Sequence, residues 1–324
     1  MENKIEATDN FMVVLKKFLL GAYIILPILV SVVLIDIFYF DRLLQPNLGV
    51  DAIYLPIFLF IFLLPHIIAS LFSFFDSEYV SYYKKHLFIF LPIFLLITLV
   101  VLYFDYRYGL LLFFLTDAWH GIRQKVGIGL ILGMKPGLVH RLWTYVPFAT
   151  TSLVYVYFVL PEVVPNIIHK YISEILFIGA LSIIFVSVLQ LLRSDKKVYS
   201  YIILFLLFFL TSYFFVLANY IFFAFLAFRF VHDLNAFAFY VAHDHNRNRE
   251  GYKNYFYKLF SATHIPILVL APLLGFLFAY IVRSSANGVA IGYAIIILLC
   301  MSHFYLEGVM WKRESPHRKQ ILVK

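Results

Sequence analysis

The sequence predicts an all-α fold, a polytopic transmembrane helical bundle of about ten spans, with residues 1–324 forming a single integral-membrane domain. Two observations predict this class. The chain is 63% hydrophobic and only 14% charged, whereas soluble domains have about 25% charged residues. Apolar runs of the length that crosses a bilayer as a helix also recur from one end to the other. A transmembrane β-barrel would instead show alternating segments of about ten residues.

The predicted spans follow the apolar runs in order. They cover residues 18–40, 52–75, 86–104, 108–134, 142–160, 172–192, 199–218, 219–243, 262–283 and 288–311. Because almost no linker separates the seventh span from the eighth, we expect a tight turn near Asn219. Arg123 and Lys125 leave a second interpretation open, in which the fourth span ends near residue 125 and a short re-entrant segment follows.

The distribution of basic residues orients these spans. With the N-terminus inside, 19 Lys and Arg residues fall in cytoplasmic segments and 4 in external ones. Cytoplasmic loops of membrane proteins are enriched in Lys and Arg, so both termini are predicted to be cytoplasmic. The same bias explains the net charge of +8 without a nucleic acid partner. The acidic start MENKIEATDN is not typical of a cleaved signal peptide. We expect a protein of a bacterial inner (plasma) membrane, in contact with membrane lipid.

Four histidines lie well inside spans that all run from outside to inside. They are His66, His120, His232 and His303, which come 14, 12, 13 and 15 residues after the starts of their spans. At 1.5 Å rise per residue they share one depth, ~18–22 Å below the outer surface. Imidazoles that converge from several helices are how a bundle builds a metal site. The pattern therefore predicts an intramembrane metal site, against the alternative of four histidines that only donate hydrogen bonds between helices.

Two carboxylates accompany these histidines. Asp117 comes three residues before His120, and Glu307 comes four residues after His303, so each pair shares a helical face. A metal-ligating histidine usually donates its second N–H to a carboxylate or carbonyl group. Asp117 and Glu307 are therefore candidate catalytic residues, and Glu307 is also a candidate ligand.

Asp233 is a weaker candidate. It directly follows His232, and adjacent helical residues point about 100° apart. Arg229, four residues before Asp233, is its expected partner on the same face.

A second histidine group lies at the predicted cytoplasmic boundary. His243, His245 and His264 belong to it, with His86 nearby on the same side. His243 is ~16 Å from His232 along the helix axis, too far to share a metal. This group is a candidate second metal site, a polar vestibule or ordinary interface residues, and a solvated loop explains His245 equally well.

The donor types restrict the chemistry. Nitrogen and carboxylate ligands suit Fe, Zn, Cu or Mn. The chain has one cysteine, Cys300, and five methionines, few soft ligands for copper, and it can form no disulfide within itself. A zinc hydrolase motif of the HExxH kind is absent. Non-haem iron is favoured over zinc and over a haem held by two of the histidines. Its expected task is oxygen chemistry on an apolar small-molecule substrate, in a cavity lined by some of the abundant aromatic residues.

The four histidines on separate spans resemble those of bacterial membrane-embedded β-carotene dioxygenases, which cleave a polyene to retinal with histidine-ligated iron. This resemblance implies an iron-dependent oxidoreductase of lipid or isoprenoid metabolism. The chain has more predicted spans than that family, and the HxxxH and HxxHH boxes of membrane desaturases are absent. Two rival functions remain, a proton or metal-ion transporter that uses the same polar layer and a haem-binding electron-transfer protein.

Overall fold

The computed structural model describes residues 15–48, 61–159, 164–249, 251–285, 290–312 and 314–321, apart from residues 16 and 62. Of the described residues, 87% are helical. In the described part of the chain, the only strand-type pairing is an isolated bridge between Asp76 and Asn254. The all-α prediction is therefore confirmed. The predicted acidic N-terminal segment and the first part of the second predicted span lie outside the described residues.

The α-helices are numbered here in chain order, leaving out the single turn Leu44–Asn47. They are α1 Ile25–Tyr39, α2 Leu64–Phe72, α3 Ser77–Lys85, α4 Leu91–Phe104, α5 Tyr106–Ile131, α6 Leu138–Val159, α7 Asn166–Arg193, α8 Tyr199–Leu217, α9 Ile221–Asn248, α10 Tyr255–Leu259, α11 Ile267–Ser285, α12 Ala290–Met310 and α13 Pro316–Lys319. A π-helical segment, His86–Phe90, joins α3 to α4.

Among the residues that the structure describes, six helical stretches are long and apolar enough to cross a membrane. They are Lys17–Tyr39, Ser77–Phe104, Lys170–Arg193, Lys196–Leu217, Ile221–Asn248 and Ile267–Ser285, and two shorter apolar helices are Leu64–Phe75 and Ala294–Met310. These helices are compatible with an integral membrane protein. Each of the ten predicted spans contains helix, but the number of membrane crossings and the side of the termini stay predictions.

Two local features of the predicted spans can be compared directly. Between α8 and α9, Asn219 has a left-handed backbone with φ 62°, which asparagine tolerates better than most residues. The predicted tight turn is confirmed. Helix α5 runs through Arg123 and Lys125 without a break, and whether the fourth membrane span ends near residue 125 stays a prediction.

The chain forms two compact units. Unit 1 comprises residues 1–55 and 117–232, and unit 2 comprises residues 56–116 and 233–322. In unit 1, α7 packs against α6 and α8, and α8 packs against α1. The Trp143 indole of α6 is fully buried, donates to Ser187 Oγ of α7 at 3.0 Å and contacts the Phe205 ring of α8. Burial of the Trp143 and Phe205 rings, with the indole N–H hydrogen-bonded, stabilises the packing of α6, α7 and α8 in this unit.

In unit 2, α2 packs against α11 and α12, and α12 packs against α4. The close approach of α2 and α11 depends on Gly275, where a Cβ atom would lie 3.3 Å from the Pro65 carbonyl oxygen and 3.1 Å from the Phe237 ring. Asn254 links α10 to the end of α2, because its side chain caps α10 and donates a hydrogen bond to the Phe72 carbonyl at 2.6 Å. This packing fixes α2 and α12, which bear two of the predicted histidines.

Candidate metal centre

All four predicted histidines are buried, with exposed fractions of 5% or less. His66 and His303 belong to unit 2, and His120 and His232 belong to unit 1. Within unit 2 the ring centroids of the pair are 4.9 Å apart, and within unit 1 they are 4.8 Å apart, both edge to face. Each unit therefore brings together two of the predicted residues. A single layer of all four stays a prediction.

The unit 2 pair has a carboxylate beside each ring. His66 Nδ1 lies 3.6 Å from Asp233 Oδ1, and His303 Nε2 lies 3.9 Å from Glu307 Oε2. These separations exceed a hydrogen bond. In the described part of the chain, Asp233 clusters with His66 as a possible metal ligand, whereas Glu307 belongs to no such cluster. Ligand atoms of His66 and His303 also come within 4.8 Å of each other. Buried histidine and carboxylate groups of this chain could therefore hold a metal ion.

The tautomer of His303 follows from its second hydrogen bond. Ser70 Oγ donates its single proton to the Ile67 carbonyl at 2.6 Å and lies 2.9 Å from His303 Nδ1. Because the hydroxyl proton is already used, Nδ1 must be the donor in this contact. In the neutral ring Nε2 then presents its lone pair toward Glu307. An outer hydrogen bond that fixes the tautomer in this way is typical of metal-ligating histidines.

Glu307 is oriented by two donors on one of its oxygens. Tyr240 Oη donates to Glu307 Oε1 at 2.9 Å, and Trp311 Nε1 donates to the same oxygen at 3.0 Å. Glu307 Oε2 is thereby turned toward His303. Glu307 was predicted from the sequence, whereas Ser70, Tyr240 and Trp311 were not. The i,i+4 spacings of Ser70 from His66 and of Trp311 from Glu307 were signals that could have identified two of them.

In unit 1 the predicted catalytic residue Asp117 lies in an ion pair. Arg229 Nη2 is 2.9 Å from Asp117 Oδ2, and Tyr155 Oη donates to the same oxygen at 3.1 Å. The sequence had assigned Asp117 to His120 and Arg229 to Asp233, each by helical spacing. This buried carboxylate joins α5, α6 and α9, and Tyr155 was not identified from the sequence. Arg229 as a partner of Asp233 stays a prediction.

The predicted second histidine site has mixed surroundings. His243 is fully buried, His245 is half-buried, and His264 is exposed with a left-handed backbone. In the described part of the chain, the groups of three or more clustered metal-ligand residues include none of these three histidines. A second metal site at these positions stays a prediction.

His243 instead belongs to a hydrogen-bonded chain in unit 2. Its Nδ1 donates to Asp244 Oδ1 at 2.9 Å, and its Nε2 accepts from Tyr79 Oη at 2.9 Å. Tyr257 Oη donates to the other oxygen of Asp244. The His317 ring stacks on both the His243 and Tyr79 rings. His317 was missed because the sequence around it is typical of a basic cytoplasmic tail.

Comparisons with known proteins add no relatives to this geometry. No protein family, no curated protein and no solved structure matches the chain. The resemblance to membrane β-carotene dioxygenases therefore rests on the histidine pattern alone, and the function must be argued from the side chains.

Proposed function

We propose that this protein is a membrane metalloenzyme, a non-haem iron oxygenase that acts on an apolar lipid or isoprenoid. The observation that carries the proposal is the unit 2 donor set. Two buried imidazoles, His66 and His303, lie edge to face with centroids 4.9 Å apart, and each has a carboxylate within 4 Å.

The donor set favours iron among the metals it could bind. Two histidines and one carboxylate with open positions are typical of non-haem iron oxygenases. An iron ion held by these residues would supply oxygen activation. Burial of the donors favours an apolar substrate that enters from the surrounding lipid, consistent with the proposed membrane location.

The protein residues have separate roles in this proposal. His66 and His303 bind the ion, with Ser70 holding the His303 ring in its ligating tautomer. Glu307 and Asp233 are candidate third ligands. Tyr240, through its hydrogen bond to Glu307, is positioned to exchange a proton with that carboxylate during the reaction.

Haem is less consistent with the histidine pairs than a bare metal ion. Axial imidazoles lie on opposite faces of the porphyrin, so two bonds of about 2 Å and the ring radii place their centroids about 6 Å apart. The observed centroid separations are 4.9 and 4.8 Å, and the rings are nearly perpendicular. Neither pair has the separation that axial ligation requires.

The test is elemental analysis of the full-length protein purified in detergent, together with its absorption spectrum. We expect about one equivalent of iron without a Soret band. His66→Ala and His303→Ala should each lower the iron content at least tenfold, and Ser70→Ala should weaken binding about 10- to 100-fold. His264→Ala removes an exposed histidine and should leave the iron content unchanged. Full iron content in both histidine variants, or a metal-free parent protein, would exclude the proposal.

Proton transport is a second candidate, favoured by the chain that joins Tyr257, Asp244, His243 and Tyr79 in unit 2. Alternating donors and acceptors of this kind can relay protons. Purified protein in liposomes with an internal pH dye would distinguish the two functions. A proton flux that His243→Phe abolishes would support transport, and a parent protein with no flux would remove this candidate.

A further inference from the structure

A group of basic side chains lies at one end of unit 1, where the α5–α6 loop meets the segment that joins α7 to α8. All of its members are exposed, and none has a role in the proposed metal centre of unit 2. This basic cluster consists of Lys135, Arg141, Arg193, Lys196 and Lys197.

Two glycines let the α5–α6 loop lie against the end of α7 and the residues after it. A Cβ atom at Gly133 would lie 2.8 Å from Lys197 Cε and 3.1 Å from its Nζ, and one at Gly137 would lie 3.7 Å from Arg193 Nη2. The two glycines have φ values of 104° and 149°, which residues with a side chain rarely adopt. Lys135 lies between them in the sequence, so three cations surround one short loop.

One carboxylate offsets part of this charge. Asp195 Oδ1 lies 3.3 Å from Lys135 Nζ, and both side chains are more than half exposed. Among the residues that the structure describes, this is the single ion pair of the basic cluster. Exposed pairs of this kind are weak, so Lys135 can exchange Asp195 for another anion. The cluster therefore has an excess of positive charge that a bound anion would neutralise.

An exposed apolar stripe on α7 leads away from the basic cluster. Its side chains follow one another at spacings of three or four residues, which places them on one face of the helix. The α7 stripe consists of Leu181, Phe185, Val188 and Leu192. Leu192 directly precedes Arg193, so the stripe begins at the cluster. From residue 181 to residue 192 the helix rises about 16 Å, close to half of a hydrocarbon core about 30 Å thick.

We propose that this end of unit 1 binds the phosphate of an anionic phospholipid, with an acyl chain along the α7 stripe. Clusters of Lys and Arg next to membrane helices are typical binding sites for anionic headgroups. The Arg193 guanidinium can donate to two phosphate oxygens at once, and Lys135 and Lys197 add compact positive charges.

The α7 stripe favours a lipid over a soluble anion. A free phosphate or a nucleic acid would contact the basic cluster and leave the apolar side chains beside it uncovered, whereas a phospholipid covers both. The inference goes beyond the proposed function and depends only on its membrane location. All of these residues belong to unit 1, so the unit 2 metal centre is not involved.

The test titrates the full-length protein in detergent micelles with dioleoyl phosphatidylglycerol or dioleoyl phosphatidylcholine. Native mass spectrometry counts the bound lipid. The two lipids have the same acyl chains, but only the first has a net negative charge. Since each nearby cation strengthens binding about fivefold, we expect the anionic lipid to bind at least about tenfold more tightly. Equal affinity for the two lipids overturns the proposal.

Charge variants locate the headgroup. Arg193→Gln should weaken binding of phosphatidylglycerol about fivefold, and Arg193→Gln with Lys197→Gln should weaken it about 30-fold. Lys170→Gln is the matched control, because it removes an exposed cation near the other end of the same helix and should leave the affinity unchanged. A loss in Lys170→Gln as large as that in Arg193→Gln would show that overall charge alone matters, which excludes the site.

A stripe variant tests the acyl chain. Val188→Asn with Leu192→Asn keeps every cation of the basic cluster and should weaken binding of phosphatidylglycerol. Unchanged affinity would show that the headgroup binds without the stripe and would overturn the lipid assignment. A dimer that forms without lipid and dissociates in this variant would assign the stripe to a second copy of the chain instead. Iron content measured in the same samples should match the parent protein, which tests the metal centre separately.

Discussion

The buried ion pair of unit 1 gives a quantitative prediction. Arg229 and Asp117 are 2.9 Å apart, and their side chains are 9% and 1% exposed. Replacing Arg229 with Met leaves a buried carboxylate without its closest cation. Breaking a buried pair on one side costs about 3–5 kcal/mol. Because Asp117 keeps the Tyr155 hydrogen bond and the attraction of Lys125, we expect a loss near the lower end, about 3 kcal/mol.

The double variant tests the cause of this loss. In Arg229→Met with Asp117→Asn, neither charge remains, and replacing a buried pair by neutral groups is often nearly neutral in stability. We expect the double variant to be more stable than Arg229→Met alone by about 2 kcal/mol. The assay is unfolding with sodium dodecyl sulfate in mixed micelles, followed by circular dichroism. If Arg229→Met costs under about 1 kcal/mol, or if Asp117→Asn adds a further loss, the electrostatic reasoning fails.

Three further predictions concern packing, pH and capping. A Cβ at Gly179 would lie 2.3 Å from Thr150 Cγ2, whereas one at Gly127 meets nothing within 4 Å. Gly179→Ala should therefore cost about 1–3 kcal/mol and Gly127→Ala should be neutral or stabilising, in the same unfolding assay. Burial, with nearby positive charge, holds the pKa of His317 well below its usual 6.5. The unfolded chain therefore binds a proton that the folded chain excludes, and the free energy of unfolding should fall by up to about 1.4 kcal/mol per pH unit below pH ~6.5. His317→Phe should reduce that pH dependence, and a slope unchanged in the variant would refute the assignment. Asn254→Ala removes the α10 cap and the bond to Phe72 and should cost about 1–3 kcal/mol; protease resistance of the 249–264 segment that matches the parent would contradict this.

The sequence predicted the helical class, the turn at Asn219 and the burial of all four spanning histidines. These features depend on apolar run length, turn chemistry and the cost of polar groups in lipid, which are local or compositional. Helix α5 illustrates the limit for membrane crossings. Its length is typical of a membrane-spanning helix, but Asp117, Arg123 and Lys125 interrupt its apolar sequence. Length therefore indicates a membrane crossing, whereas composition does not.

The contacts of the candidate site could not be predicted in the same way. Helical spacing assigned Asp117 to His120, whereas its observed partners come from Tyr155, 38 residues away, and from Arg229. Ser70, which sets the His303 tautomer, is 233 residues from it in sequence. Spacing rules apply within one helix, and these contacts join different helices. Only the packing of α2 against α12 brings Ser70 and His303 together.

The C-terminal end of α1 has a consequence for how the protein is made. Asp36 is buried there, both of its oxygens accept from the Leu44 backbone N–H, and Oδ2 also accepts from Tyr220 Oη, 184 residues later in the chain. During synthesis, the seven described helices α2 to α8 are therefore made after Asp36 and before Tyr220. The hydrogen bonds from the Leu44 backbone N–H are local in sequence and can form early. They give the carboxylate of Asp36 a partner before Tyr220 is present. Tyr220 then completes the contact when the α8–α9 turn arrives, which makes the attachment of α1 a late event in assembly.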